Sequence, residues 1–384
     1  MKHLAIGVFA AALVAALFGA TSVTRETNQP AAHSVEKAVH WLASVQGKDG
    51  GWGQDGGEAV FVREGERLES SGNDVANTAV ATLALISAGN TPVQGQYREQ
   101  VRRGLDFVLK HVENSPEQGL ALATLNGTQI QRKLGPYIDT FLSSMLLSEV
   151  DGTMGDSKSD ARVRASLNRC VAKIEKNQLK DGSWNVAGGW APILGTSMAS
   201  RSLFVARQKG VRVDRTAMVK VEQYTANSVI VTSAASAGVV GGVLADSASP
   251  MAGRGMAVEV SAASAGVPLY QKAQALEQMT RTPADRKKNA ADIKTMAKEI
   301  SDPRLVAGFG SMGGEEFFSY LNVSDSLHRT GGPEWVAWND RIKTQLVKLQ
   351  NEDGTWAGHH CITGRVAVTS AAVLTILAET TPVK

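Results

Sequence analysis

One heptapeptide occurs three times and constrains the chain more than any other feature. It reads Gln46-Gly-Lys-Asp49-Gly50-Gly-Trp52, then Gln178-Leu-Lys-Asp181-Gly182-Ser-Trp184, then Gln350-Asn-Glu-Asp353-Gly354-Thr-Trp356. Gln, Asp, Gly and Trp keep the same spacing each time, so one unit of fold recurs. Each copy closes a segment with apolar residues at helical spacing: Val35–Gln46, Ala161–Gln178 and Trp335–Gln350. Asp-Gly is a helix-stop and turn signal. A more apolar segment follows each copy, namely Val75–Ala88, Thr196–Arg207 and Val366–Ala378, as expected of helices buried on most sides. Pairs without the motif fit between them. Tyr97–Glu113 precedes Gly135–Val150, and Asp214–Tyr224 precedes a stretch rich in small residues. Pro268–Ile300, long and charged, precedes Gly313–Arg329. The pattern predicts an all-α fold of about six pairs, polar helices outside and apolar helices inside. No convincing period-2 strand is present.

Composition bears on partners and compartment. The 384 residues carry 40 Lys and Arg against 37 Asp and Glu, a net charge of +3. That gives no sign of a nucleic-acid binder. Apolar residues at 43% suffice for a full core. Two cysteines exclude a disulfide scaffold. Lys2 and His3 precede an uncharged stretch from Leu4 to Ala20, ending on small residues. Residues 1–20 therefore read as a secretory signal or an uncleaved N-terminal anchor. Residues 21–33 read as a flexible leader and 34–380 as one domain. The protein is expected to be exported, with membrane contact only through an uncleaved signal. A second uncharged run, Val229–Ala245, is too rich in small residues for a membrane span and reads as a buried inner helix.

The Gln-x-x-Asp-Gly-x-Trp segments resemble the repeats of squalene–hopene cyclases and protein prenyltransferase β subunits, which form α/α toroids. A closer likeness is to exported bacterial proteins that share these repeats, and it extends to stretches similar to Gly308–Leu321 and Gly358–Ala372. The resemblance implies an α/α toroid, an outer ring of helices around an inner ring and a central cavity. It implies a structural role for the repeat: the Gln bonds a neighbouring helix end and the Trp packs against the next turn.

In such a toroid the inner-helix N-termini gather at one mouth, with unpaired N–H groups and partial positive charge. That mouth is expected to hold the site. The candidates lining it are Asp74, Tyr137, Asp139, Tyr320 and Arg365, with helix capping as the competing explanation for the aspartates. The candidate chemical groups are Glu315, Glu316, His359, His360 and Cys361. A thiol at a helix start beside histidines is expected to have a lowered pKa, and His beside Cys suggests nucleophilic chemistry. The resemblance adds zinc as a candidate cofactor, since prenyltransferases bind it through Asp, Cys and His at the toroid mouth. Cys361, His359 and His360 are the matching candidates here, although the family's Asp-Gly-Cys spacing is absent. Cys170 lies mid-helix, roughly 12 Å from its helix end, so no Cys170–Cys361 disulfide is expected.

Two motifs are decoys. Gly308-Phe-Gly310-Ser-Met-Gly313 has no strand before it. Gly313-Gly-Glu315-Glu316-Phe317 resembles the signature of diguanylate cyclases but lies in a helical setting. The resemblance would imply polyene cyclisation through an Asp-x-Asp-Asp motif, yet the chain contains no Asp-Asp pair. Three of its seven Trp are spent on the repeats, leaving few rings for carbocation chemistry. The readings left open are an exported protein binding a small hydrophobic, peptide or glycan ligand in its cavity, and an exported enzyme using the His/Cys cluster.

Overall fold

The computed structural model describes residues 29–55, 72–124, 127–184, 192–238, 266–301, 313–359 and 361–381. The expected signal or anchor at residues 1–20 and the decoy segment 308–312 lie outside them. The described residues form fourteen α-helices and no strand. No described helix is long and apolar enough to cross a membrane.

Six helices build an inner ring: α2 (Val75–Ser87), α5 (Ile138–Val150), α7 (Pro192–Gln208), α9 (Gly266–Met279), α12 (Gly314–Thr330) and α14 (Arg365–Ile376). Each packs on the next, and α14 packs on α2, so the ring closes. Outside it lie α1 (Gln29–Ser44), α3 (Arg98–Asn114), α6 (Ser157–Lys176), α8 (Arg215–Gly238), α11 (Ala290–Ile300) and α13 (Gly332–Leu349). The fold is an α/α toroid of six pairs. Two short helices, α4 (Gln129–Leu134) and α10 (Pro283–Lys288), sit in connections. α1 begins at Gln29, inside the stretch expected to be leader, and already buries Ala31.

The three repeats explain the closure. Each Gln side chain bonds the carbonyl of its own motif's Gly and one carbonyl near the start of the next outer helix. Gln46 Nε2 reaches Gly50 at 2.8 Å and Gln100 at 2.9 Å. Gln178 reaches Gly182 at 3.0 Å and Ala217 at 2.9 Å. Gln350 reaches Gly354 at 2.8 Å and Ser34 at 2.8 Å. The last bond ties the end of α13 to α1 and shuts the circle. Each Trp is buried, and its indole N–H donates to its own outer helix: Trp52 to Leu42, Trp184 to Ile174 and Trp356 to Leu346. Its backbone N–H donates to an inner-helix hydroxyl of Thr78, Thr196 or Thr369. Gly is required after the Asp for two reasons. Gly354 has φ +87°, and a Cβ there would come within 3.0 Å of the Lys37 backbone.

Inner helices bury hydroxyls as well as apolar groups, and several of these are satisfied within the helix. Thr82 donates to Thr78 O, Ser148 to Ser144 O and Ser370 to Val366 O, each at 2.7 Å.

The fourth and fifth pairs differ from expectation. Pro268–Ile300 is not one outer helix. Its first part lies within α9, an inner-ring helix, and its last part is the outer helix α11. Thr282 forms a capping box with Asp285, with Pro283 opening α10, and this starts a new helix just after α9 ends. The first residues of the small-residue stretch, as far as Gly238, continue outer helix α8, and 239–265 lie outside the described residues.

Candidate functional site

The inner-helix N-termini do gather at one mouth, but α4 lies across it. This helix packs on α2, α5, α7 and α12. A side chain at Gly195 would meet the Leu134 carbonyl at 2.4 Å, so α7 approaches α4 backbone to backbone. Gln129 pins the plug: its backbone N–H donates to Gln54 Oε1 at 2.7 Å. Its Oε1 accepts from the N–H groups of Thr363 and Gly364 at 2.9 and 3.0 Å. Gln131 Nε2 donates to both carboxyl oxygens of Asp139 at 3.1 and 3.2 Å.

Beneath the plug are four buried carboxyl groups. Asp74 caps α2 and accepts from the Asn77 backbone N–H at 2.9 Å and its side chain at 2.7 Å, as the capping alternative anticipates. Burial raises its pKa to about 6. Burial, and then the nearby charge of Asp74, raises Asp139 to about 7. Glu315 and Glu316 begin α12. Burial and then the Glu315 charge raise Glu316 to about 8, and Tyr320 O–H donates to Glu316 Oε2 at 3.3 Å.

Glu315, Glu316 and Cys361 are brought into one electrostatic group, with Tyr270 of α9 and Lys133 of α4. Sequence reading missed these two. Tyr270 fell in a segment read as an outer helix, and Lys133 in what read as a connection. The Cys361 thiol is not activated. Burial and then the Glu315 carboxylate push it up to about 12, opposite to the expected lowering. Like charge and desolvation outweigh the helix start. His359 is exposed and stands apart, and His360 lies outside the described residues. No group of three or more His, Cys, Asp or Glu placed to hold a metal occurs among the described residues. Among the described residues Cys361 and His359 do not come together in such a group, and His360, the third candidate, lies outside them. Both cysteines are free thiols.

Arg365 turns to the repeats instead of the interior. It bonds Asp353 of the third motif at 2.9 Å, lies 3.4 Å from Asp55, and stacks over the Trp41 ring at 5.2 Å. Tyr137 is partly buried against the core and Tyr320 is packed between Phe317 and Trp338.

A cavity of about 390 Å³ lies at the other mouth, where the inner helices end. It is lined from all six pairs, by residues such as Leu83, Met145, Phe204, Arg281, Leu321 and Leu374. None of Asp74, Tyr137, Asp139, Tyr320 or Arg365 lines it. Among the described residues α4 lies across the N-terminal mouth, and this cavity opens at the opposite one. Three arginines stand in the wall of the open one. Arg201 pairs with Asp325 and donates to Asn322 at 2.6 Å. Arg281 donates to Glu277 at 2.7 Å and to Ser200 at 2.5 Å. Arg329 donates to the hydroxyls of Thr280 and Ser326 at 3.1 and 3.2 Å. The Phe204 ring faces Arg281 at 5.3 Å and Arg329 at 6.0 Å.

Residues 9–125 match the family model described as squalene-hopene cyclase C-terminal domain. A 76-residue stretch is 38% identical to the squalene–hopene cyclase of Bradyrhizobium diazoefficiens, covering 20% of this chain and 10% of that enzyme. The repeats of this chain are similar to those of squalene–hopene cyclases. The chain spans only about a tenth of the length of that relative, so the likeness to this repeat family is one of fold and repeat. Among solved structures the toroid is similar to an inactive variant of an α-1,6-mannanase of Salegentibacter in complex with α-1,6-mannotriose. The TM-score is 0.57 at 9% identity, over 91% of this chain and 98% of that one. A type II terpene cyclase from Scytonema gives a TM-score of 0.37 at 12% identity, over 91% and 97% of the two chains, which is too slight to bear on function. A fold alone does not name a function; only the local chemistry of a site can separate functions.

Proposed function

We propose that this is an exported α/α-toroid protein that holds a small organic ligand in its central cavity, entered at the inner-helix C-terminal mouth. The observation that carries the reading is the cavity of about 390 Å³ lined from all six pairs. That is the size of a small-molecule site, and its wall mixes apolar side chains with charged and polar ones. The α-1,6-mannanase of similar fold was solved in complex with α-1,6-mannotriose, which supports a ligand in this architecture. The missing Asp-Asp pair argues against polyene cyclisation. Native mass spectrometry of the purified chain is expected to show a bound adduct. Leu321→Trp, which fills the cavity, is expected to remove it without lowering the melting temperature by more than a few degrees. An adduct that persists in this variant would sink the reading. N-terminal sequencing of the exported chain is expected to begin near Thr21.

A second reading is an exported enzyme working at the plugged mouth. The gathering of Glu315, Glu316 and Cys361 favours it. Its acids would be the carboxyl groups of Asp139 and Glu316, which hold protons near neutral pH. It does not use Cys361 as a ready nucleophile. With the thiol at about 12, iodoacetamide at pH 7 is expected to label Cys361 at least ~100-fold more slowly than a free cysteine. Labelling at the free-thiol rate would restore the nucleophile.

A further inference from the structure

We infer that α4 is a hinged lid over the buried acid group, swinging on Gly127 and Gly135, and that it loosens as the pH rises. This rests on the reading of the plugged mouth as a working site and adds how access to that site is controlled.

The segment has the build of a part that moves as one piece. Gly127 has φ +64° and Gly135 φ +108°, and a Cβ at either would meet nothing within 4 Å. Neither glycine answers to crowding; each serves a backbone conformation that side chains rarely adopt, as hinge positions do. Between them α4 keeps its own start folded through the Thr128–Gln131 capping box. Side chains latch it to the ring: Gln129 to the N–H groups of Thr363 and Gly364, Gln131 to Asp139, Lys133 to Cys361. Of its six residues only Ile130 and Leu134 bury apolar side chains. A segment with so little buried apolar area opens more readily than the ring it covers.

The surroundings beneath the lid are those of a site. One turn inward from Asp74 and Asp139, Asn77 Oδ1 and Ser143 Oγ have no hydrogen-bond partner, in residues only 1% and 0% exposed. The spacings of three and four residues place them on the helix faces that carry the two carboxyl groups. Buried polar atoms in folded proteins are paired, so unmet ones beside two acids point to a polar guest. The charges around Asp139 set the sign of the pH effect. α2 brings Asp74, a like charge. α4 brings Lys133, directed to Cys361, and the exposed Arg132. α6 brings Arg169, Lys173 and Lys176, each bonded to the loop at 115–121, and Glu175, bonded to the Asp214 N–H. α7 brings Arg201, which Asp325 holds at the other mouth. None of these cations pairs with Asp139. With the lid shut, burial keeps the Asp139 proton on up to about 7 and that of Asp74 up to about 6, against an ordinary 3.8 in water. Opening therefore releases protons. Closure is strongest at low pH and weakens as the pH rises from 3.8 towards about 7.

The test is amide hydrogen exchange on the unaltered chain at about pH 5 and about pH 7, each rate divided by the intrinsic rate at that pH. Protection over residues 128–134 is expected to fall at least ~tenfold across the interval, the scale of about one proton released, and protection over α3 less than ~threefold. Asp139→Asn keeps an oxygen for Gln131 and does not ionise, so most of the fall in α4 is expected to disappear. Protection in α4 that does not fall, or that falls by the same factor as in α3, would overturn the lid. An unchanged fall in folded Asp139→Asn would overturn the proton linkage. Should that variant fail to fold, the comparison of α4 with α3 in the unaltered chain still decides. Carbon-13 titration of the carboxyl groups separates the two readings. A raised Asp139 with no change in exchange removes the lid and leaves the enzyme reading, whereas Asp139 titrating in the ordinary carboxylate range removes both.

Discussion

At the scale of single residues, the repeat Trp and the buried acids carry opposite lessons. Trp356 is fully buried and its indole N–H is satisfied at 2.7 Å by Leu346 O. Trp356→Ala is expected to cost about 3–5 kcal/mol, the range for deleting a large core side chain, measured by chemical denaturation. Glu316 is buried too, but as a group that resists ionising. Its pKa rises from 4.5 to about 8. The folded chain therefore keeps a proton that the unfolded chain releases above pH 4.5. Stability contributed by the protonated group is present at low pH and is lost as pH rises towards about 8. Relative to Glu316→Gln, the unaltered protein is expected to lose on the order of 1–3 kcal/mol between pH 4.5 and 8. Melting curves of the two proteins across that window check the slope, and parallel curves would refute it.

At the scale of elements, α4 decides which mouth is open. Six residues do not make a stable helix alone. The capping box of Thr128 and Gln131 and the bonds of Gln129 to Thr363 and Gly364 hold it in place. Gln129→Ala is expected to loosen the plug selectively. Hydrogen exchange over residues 127–137 should quicken by roughly tenfold, with α2 and α14 unchanged. The helices themselves were legible in the sequence where the periodicity was strong, as in α3, α6 and α13. The reading went astray at Pro268–Ile300, where the Thr282-Pro283-Ala-Asp285 start signal outweighs a continuous run of helix formers. The His/Cys cluster shows the same limit of local reading. Neighbouring positions in the chain put Cys361 beside His359, but the fold turns His359 to solvent and puts Cys361 against Glu315.

At the scale of the whole molecule, the joint between the last pair and the first is made like the joints inside the chain. Gln350 reaches Ser34, 316 residues away, with the bond that Gln46 makes to Gln100. A circular permutant is therefore expected to fold. Joining the ends by a short Gly-Ser linker and reopening the chain between α5 and α6 should preserve the helical circular dichroism and a single cooperative melt. A broad or multiphase melt would show that the ring depends on chain order.

The triplicated motif by itself determined the toroid, the outer and inner roles of most helices, and the structural duty of its Gln, Gly and Trp. Those properties reside in spacings of seven residues or fewer and in the helical period, which a chain carries locally. Only the tertiary structure decided which mouth the short helix α4 crosses, which acids keep their protons and which charges meet. Arg201 and Asp325 stand 124 residues apart in sequence. Desolvation and counter-charge depend on neighbours in space, and these exist only once six helices have closed on one another.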